Sequence, residues 1–210
     1  LAEIAGAMTE EVGGTFGWGM FNCGLAAGML REAAAQAYSL IGEVIPSDVP
    51  GLTAMGVRRP AGVVVGMAPW NAPVILGTRA VATPLAFGNT VVLKASEKCP
   101  RVHAAIAAAI VDAGAPAGVV NFITHAPADA PEVVDALIAH PAVRRVNFTG
   151  STAVGRIVAV KCAEHLKRCL LELGGKAPLI VLDDADLGEA ASAASFGAFM
   201  NSGQICMSTE

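Results

Sequence analysis

Residues 61–97 read AGVVVGMAPWNAPVILGTRAVATPLAFGNTVVLKASE, and this stretch decides the fold. Residues 62–69 are an apolar run that leads into a Pro-rich loop, which is typical of a buried strand. Residues 74–88 predict a helix, and residues 90–97 predict a second strand with a polar end. The stretch therefore predicts a strand, a helix and a strand, which is the unit from which parallel sheets are built.

The same alternation continues along the rest of the chain. We expect further strands at residues 118–124, 143–150, 167–173 and 175–186, and further helices at residues 100–114, 129–140, 151–166 and 187–203. This order predicts an α/β fold: a Rossmann-like, doubly wound parallel sheet with helices on both faces.

The chain before residue 61 has a different character. Residues 1–42 predict two helices that separate at Gly13 and Gly14. Residues 43–60 are punctuated by Pro and Gly and contain a strand-like segment at residues 52–59, so we interpret them as a connecting ribbon.

Composition excludes several classes of protein. The chain is 54% hydrophobic and 15% charged, which argues against extended disorder, and its net charge of −4 without a Lys/Arg run provides no footprint for nucleic acid. Five cysteines without a CxxC pair indicate free thiols in a reducing compartment, and four scattered histidines lack the spacing of a metal site. With no secretory leader in the sequence, we expect a cytoplasmic protein.

One segment competes with that expectation. Residues 12–30 carry no charge, and two pairs of glycines four residues apart have the spacing of closely packed membrane helices. The run is marginal in length for a span, and Thr15 and Asn22 interrupt it. We therefore interpret it as a buried helix and expect no membrane association.

Polar motifs follow two of the predicted strands, at the edge where parallel sheets bind ligands. Lys94, Ser96 and Glu97 end one strand, and residues 148–155, FTGSTAVG, end another and open a helix. A helix start with Gly can bind phosphate through its backbone N–H groups. The motif is not the G-x-G-x-x-G fingerprint, so a plain Gly/Ser helix cap and a solvated Lys/Glu pair remain open alternatives.

Two candidate reactive groups lie near the end of the chain: Glu172 in LELGGK and Cys206 in GQIC, 34 positions later. Each stands where an apolar segment gives way to Gly, which allows a ligand to approach the backbone closely. A thiol that attacks carbon needs donors for the developing oxyanion, and a carboxylate can act as the base.

Five short motifs resemble one family in the same order. PWNAP, VVLKASE, FTGSTAVG, LELGGK and GQIC together resemble the aldehyde dehydrogenase superfamily, and PWNAPVILGTRA with QICMSTE is most similar to its aromatic-aldehyde branch, the salicylaldehyde and vanillin dehydrogenases. The resemblance implies that residues 1–42 and 61–173 form the NAD-binding domain. It further implies that residues 43–60 serve oligomerisation and that residues 174–210 start the α/β catalytic domain.

The resemblance also implies the catalytic roles. Cys206 is expected to attack the aldehyde and form a thiohemiacetal, and the Asn71 side-chain amide and the Cys206 backbone N–H are expected to stabilise its oxyanion. Hydride transfer to the nicotinamide then leaves a thioester. Glu172 is expected to activate the water that hydrolyses this thioester, so that salicylaldehyde, for example, yields salicylate.

For the cofactor, the resemblance implies that Lys94 and Glu97 contact the adenosine ribose. Gly150, Ser151 and Gly155 are expected near the pyrophosphate. The remaining residues implied in the cofactor site are Ser96, Thr149, Leu173 and Gly174. A carboxylate at the ribose 2′-hydroxyl repels a 2′-phosphate, so we expect NAD rather than NADP.

Trp18 and Arg79 are candidates for the substrate pocket. Trp18 lies between two glycines, and Arg79 lies about two turns into the helix that follows Asn71. A guanidinium stacks on aromatic rings and donates to a ring hydroxyl, so the two can flank a hydroxylated ring. A core tryptophan and an ion-paired arginine are the alternative interpretation.

Other functions stay open at this point. The sequence stops four residues after Cys206 and the family's chains are longer, so we expect an internal piece of a larger enzyme that forms a homodimer or homotetramer. A piece of this kind can be catalytically incomplete and act only as a nucleotide-binding module. A relative that passes the acyl group to coenzyme A is a further alternative, which Glu172 disfavours because such an enzyme has no use for a water-activating base.

Overall fold

The computed structural model describes residues 1–209, in which seven α-helices and seven β-strands are found. The helices are α1 Ala2–Val12, α2 Phe16–Gln36, α3 Pro73–Ala86, α4 Pro100–Asp112, α5 Ala130–Ala139, α6 Thr152–Glu164 and α7 Leu187–Phe199. The strands are β1 Glu43–Ile45, β2 Ala54–Gly56, β3 Val63–Met67, β4 Thr90–Lys94, β5 Val120–Ile123, β6 Val143–Gly150 and β7 Arg168–Leu173.

Five strands form one parallel sheet in the order β5-β4-β3-β6-β7. From β3 the chain first builds outward through β4 to β5, and it then returns to the other side of β3 to add β6 and β7. The point where the order reverses lies between β3 and β6, and in such sheets ligands bind outside the carboxyl ends of the strands at this point.

Helices cover both faces of the sheet and enclose two cores. On one face α3 and α4 pack against the sheet, in a cluster that includes Val64, Val81, Leu93 and Ile106. On the other face α5 and α6 pack through Ile138 and Val158, among other apolar residues. The predicted α/β fold, a parallel sheet with helices on both faces, is confirmed.

The two N-terminal helices separate at Gly13, as predicted. Gly13 is left-handed (φ 70°) and donates its N–H to the Thr9 carbonyl at 3.0 Å, and the Thr15 side chain caps α2 by accepting the Trp18 N–H at 3.1 Å. Helix α2 buries Gly19, Asn22, Cys23, Ala26 and Ala33. None of the helices within residues 1–209 combines the length and the apolar character that crossing a membrane would require.

The ribbon at residues 43–60 and the strand predicted at residues 175–186 have different outcomes in the structure. The ribbon is a two-stranded antiparallel pair, with Val44 opposite Met55. The strand predicted at residues 175–186 is wrong: only an isolated bridge between Ala177 and Thr209 forms there, and Ile180 is 77% exposed. A strand requires a neighbour to pair its backbone groups, and no other strand of residues 1–209 lies beside this apolar segment.

Gly19 provides a test of the packing between the N-terminal helices. A Cβ at Gly19 would lie 2.8 Å from the Ala5 Cα, whereas a Cβ at Gly24 of the same helix would meet nothing within 4 Å. We expect Gly19→Ala to lower the free energy of unfolding by about 1–3 kcal/mol. The matched variant Gly24→Ala should raise it by about 0.5–1 kcal/mol, because alanine is the better helix former. Urea denaturation measures both, and equal effects would contradict the packing described.

His103 provides a test of the core by pH. It is fully buried, accepts the Ser96 N–H on Nδ1 at 3.1 Å, and burial lowers its pKa from 6.5 to about 4. Between pH 6.5 and pH 4, His103 binds a proton in the unfolded chain but not in the folded chain. The contribution of His103 to the free energy of unfolding is therefore fully present above pH 6.5 and is lost as the pH falls towards 4.

We expect the buried His103 to make the free energy of unfolding on the order of 1–2 kcal/mol lower at pH 5 than at pH 7. His103→Gln should therefore lose less stability between these pH values than the parent chain, as measured by urea denaturation at each pH. His165→Gln removes an exposed imidazole and is the control. A parent and a His103→Gln variant with the same pH dependence would refute the assignment.

Candidate active site

The strand register brings the ends of β6 and β7 side by side. Thr149 pairs with Glu172, and Gly150 pairs with Leu173, at the last positions of the two strands. The central strand β3 ends next to β6, with Met67 opposite Phe148. The segments that follow these three strands therefore meet at one edge of the sheet.

A cleft of about 300 Å³ opens at this edge. It brings together three residues with predicted catalytic roles, Cys206, Glu172 and Asn71, which lie far apart in sequence. Its complete lining is Pro69, Trp70, Asn71, Leu76, Thr149, Gly150, Ser151, Glu172, Leu173, Gly174, Gly203, Gln204, Ile205 and Cys206. The arrangement places a thiol, a carboxylate and an amide donor around one space.

The two reactive groups are accessible. Cys206 is an exposed free thiol in the turn that follows α7, and Glu172 is an exposed residue one position before the end of β7. The other four cysteines are free as well, and Cys23, Cys99 and Cys162 are buried. Burial raises the pKa of Cys99 to about 12 and that of Cys162 to about 11, so these thiols stay protonated and unreactive.

Asn71 makes three hydrogen bonds that connect the cleft to other parts of the chain. Its side-chain Nδ2 donates to the Gln204 carbonyl at 2.8 Å, two residues before Cys206. Its own carbonyl accepts hydrogen bonds from Trp18 Nε1 and from Asn201 Nδ2, each at 3.1 Å. Asn71 thus ties the loop after β3 both to helix α2 and to the segment that carries Cys206.

The start of helix α6 forms the adjoining wall. The Ser151 side chain caps this helix by accepting the Val154 N–H at 3.3 Å, and the N–H groups of Thr152 and Ala153 have no acceptor within the helix. Gly155 does not line the cleft: it is buried, and a Cβ there would lie 2.5 Å from Leu173 Cδ2. Its role in the structure is to let α6 approach β7 closely.

Lys94 is the last residue of β4, and Ser96 and Glu97 come just after it, on the same edge of the sheet but outside the cleft lining. Lys94 is only 9% exposed and donates from Nζ to the Ala95 carbonyl at 2.9 Å. Its burial lowers the pKa of the ammonium, and the Glu97 carboxylate opposes that shift. Ser96 is buried, which leaves Glu97 as the exposed charged residue of the three.

Trp18 and Arg79 lie behind the wall of the cleft rather than in its lining. Trp18 is half-buried, stacks on Phe21 with ring centroids 5.3 Å apart, and bonds to Asn71. Arg79 is half-buried and donates from Nη2 to Thr149 Oγ1 at 2.9 Å. Each side chain therefore contacts a residue that lines the cleft.

Sequence reasoning did not assign a role in the site to three residues, Trp70, Asn201 and Gln204. Trp70 lines the cleft, and the Lys98 Nζ lies 4.6 Å from the centre of its ring. Asn201 and Gln204 contact Asn71, and the NSGQ run in which they stand was the available signal. Nowhere in residues 1–209 do three His, Cys, Asp or Glu side chains gather closely enough to hold a metal ion.

Known proteins resemble the chain over nearly its whole length. The chain is 66% identical to a vanillin dehydrogenase of Pseudomonas fluorescens over 200 residues, which cover 95% of this chain and 42% of the relative. A crystal structure of a salicylaldehyde dehydrogenase from Pseudomonas putida G7 complexed with salicylaldehyde superposes with a TM-score of 0.92 at 49% identity, over 99% of this chain and 45% of that one. An NADP-dependent enzyme of E. coli superposes with a TM-score of 0.94 at 36% identity, over 99% of this chain and 43% of that one.

These relatives confirm the predicted resemblance, including its aromatic-aldehyde branch. The chain spans about 42% of the length of the vanillin dehydrogenase that it matches. The model of the aldehyde dehydrogenase family matches residues 1–210. The chain belongs to the aldehyde dehydrogenase family.

Proposed function

We propose that the chain supplies the nucleophile, the oxyanion donor and the general base of an NAD-dependent dehydrogenase that oxidises an aromatic aldehyde to its carboxylic acid. The observation that supports this most directly is the common cleft of Cys206, Asn71 and Glu172. The chain spans 42% of the length of its vanillin dehydrogenase relative. The proposed turnover therefore refers to a protein that contains these residues and has the length of the relatives, which is called the full-length protein below.

The first half of the reaction forms an acyl group on Cys206. The thiolate adds to the carbonyl carbon, and the C=O electron pair moves onto oxygen, which gives a thiohemiacetal oxyanion. The Asn71 amide and the Cys206 backbone N–H donate to that oxygen. Bound NAD supplies the acceptor for the hydride that leaves the thiohemiacetal carbon, and the C=O bond re-forms as a thioester.

The second half releases the product. Glu172 removes a proton from water as the water oxygen adds to the thioester carbon, and the C–S bond then breaks to return the Cys206 sulfur. The accessible carboxylate of Glu172, in the lining of the same cleft as the thiol, suits a base that must reach a water molecule. Oxidation and hydrolysis thus use different residues of the same space.

The edge of the sheet suits a dinucleotide. The N–H groups at the start of α6 can bind a pyrophosphate. Gly150, Ser151, Leu173 and Gly174 line the space in front of this helix, and a Cβ at Gly174 would meet nothing within 4 Å. The exposed carboxylate of Glu97 supports NAD over NADP, because it repels a 2′-phosphate while it accepts from a 2′-hydroxyl.

Two observations support an aromatic substrate: the residues that line the cleft and the names of similar proteins. The cleft wall offers the Trp70 ring with Leu76 and Ile205, and two similar proteins are a vanillin and a salicylaldehyde dehydrogenase. Trp18 and Arg79 remain candidates for selecting the ring, since they contact Asn71 and Thr149 of the wall. In this assignment Arg79 acts on a ring hydroxyl near Thr149.

The ribbon supports a homodimer or homotetramer. Its strands β1 and β2 expose Val44, Ile45 and Met55 to solvent. Exposed apolar side chains on a two-stranded ribbon are suited to contact with another copy of the chain.

Replacement of the proposed base tests the two halves of the reaction separately. In the full-length protein, Glu172→Gln should keep the first-turnover burst of NADH and lower the steady rate at least about 100-fold, because only hydrolysis of the thioester needs the carboxylate. Stopped-flow absorbance at 340 nm, with salicylaldehyde or benzaldehyde as substrate, measures both phases.

Cys206→Ala is the companion variant, and it should abolish the burst while NAD still binds. Loss of the burst in Glu172→Gln would remove Glu172 from the role of deacylation base. A burst in Cys206→Ala would overturn the proposed function itself.

A further inference from the structure

The carbonyl of Asn71 is fixed from two sides. Trp18 Nε1 and Asn201 Nδ2 each donate to it at 3.1 Å, and they come from positions 53 residues before and 130 residues after Asn71. A carbonyl oxygen has two lone pairs, so both are used by side-chain donors. The peptide group that precedes helix α3 is therefore held by two parts of the fold at once.

The side chain of the same residue reaches the nucleophile segment. Asn71 Nδ2 donates to the Gln204 carbonyl at 2.8 Å, and the Gln204 N–H in turn donates to the Asn201 carbonyl at 3.1 Å. An amide NH₂ has two donors, so one N–H ties down the Cys206 segment while the second stays available for an oxyanion. The orientation of that second N–H depends on how firmly the Asn71 backbone is held.

Both donors are themselves held rigidly. The Trp18 ring stacks on Phe21 at 5.3 Å, and the buried Asn22 links the Trp18 carbonyl (3.0 Å) to the Ile75 N–H (3.5 Å) of helix α3. Asn201 has φ 48°, and Ser202 beside it has φ 58°. Left-handed backbone is unfavourable for non-glycine residues, so the contacts of this turn must offset its steric cost.

We propose that Trp18 and Asn201 are positioning residues: their N–H groups fix the Asn71 carbonyl, and this aims the Asn71 amide at the oxyanion formed on Cys206. The inference rests on the proposed function. It gives Trp18 a role in the rate of acylation, which differs from its predicted role as a wall of the substrate pocket. A pocket wall changes the KM for aldehyde, whereas a positioning residue changes the rate of the step that forms the oxyanion.

The test removes the indole donor in two backgrounds. In the full-length protein, Trp18→Phe should slow the burst of NADH about three- to tenfold and leave the KM values for NAD and aldehyde within about twofold, as expected for the loss of one neutral hydrogen bond. In an Asn71→Ala background, which should itself slow the burst about 10²–10³-fold, Trp18→Phe should have no further effect, because no amide is left to aim.

Asn201→Gly is the second variant, since glycine keeps the left-handed backbone and removes the amide donor. It should reproduce both results, and it keeps the test decisive if Trp18→Phe fails to fold. Phe16→Leu replaces an exposed aromatic residue two positions before Trp18 and removes no donor to the Asn71 carbonyl, and it should keep the parent burst rate.

If Trp18→Phe or Asn201→Gly slows the burst equally in the parent and Asn71→Ala backgrounds, the effect is a general structural one and the inference is overturned. A change confined to the KM for aldehyde would also overturn it. Parent-like bursts in both variants, together with a slow Asn71→Ala, would refute the positioning role alone. A normal burst in Cys206→Ala would instead refute the proposed function.

Discussion

Parallel pairing of the central strand β3 with β4 on one side and β6 on the other is the constraint on which the site depends. Because all five strands run in one direction, their carboxyl ends meet at one edge, and the reversal of strand order beside β3 opens a space between the loops there. The apolar residues of β3 and β4 are covered by helices on both faces, which fixes this edge rigidly. Asn71 lies in the loop after β3, and Thr149 and Glu172 are the penultimate residues of β6 and β7, so these strands fix the positions of all three.

Most of the fold was predictable because it rests on local signals. Apolar runs ended by Gly or Pro located β3, β6 and β7, an apolar run with a polar end located β4, and Gly13 separated the first two helices. The failure at residues 175–186 has a clear cause: PLIVL has the composition of a strand, but composition does not provide a partner for its backbone. Strand formation is a property of the neighbours as much as of the segment.

For the site, the sequence predicted many of the residues that line the cleft but not the contacts that hold them in place. The motifs indicated which residues belong to the site, and the cleft contains the three with predicted catalytic roles, together with five of the predicted cofactor residues: Thr149, Gly150, Ser151, Leu173 and Gly174. What holds them was not predictable, since Trp18, Asn71 and Asn201 meet across 53 and 130 residues, and no local pattern encodes such contacts. The left-handed turn at Asn201 and Ser202 shows the same limit, because Asn201 is tied to Asn71 by a contact across 130 residues.

The central claim is that Cys206, alone among five free thiols, carries the acyl group, because it is exposed in the cleft whereas the others are buried or half-buried. Rapid acid quenching of the full-length protein with NAD and salicylaldehyde, followed by peptide mass spectrometry, tests this directly. The account predicts a salicyloyl thioester on the peptide that contains Cys206 and on no other cysteine. An acyl group on Cys23, Cys99, Cys162 or Cys169, or turnover without any acylated cysteine, would contradict it.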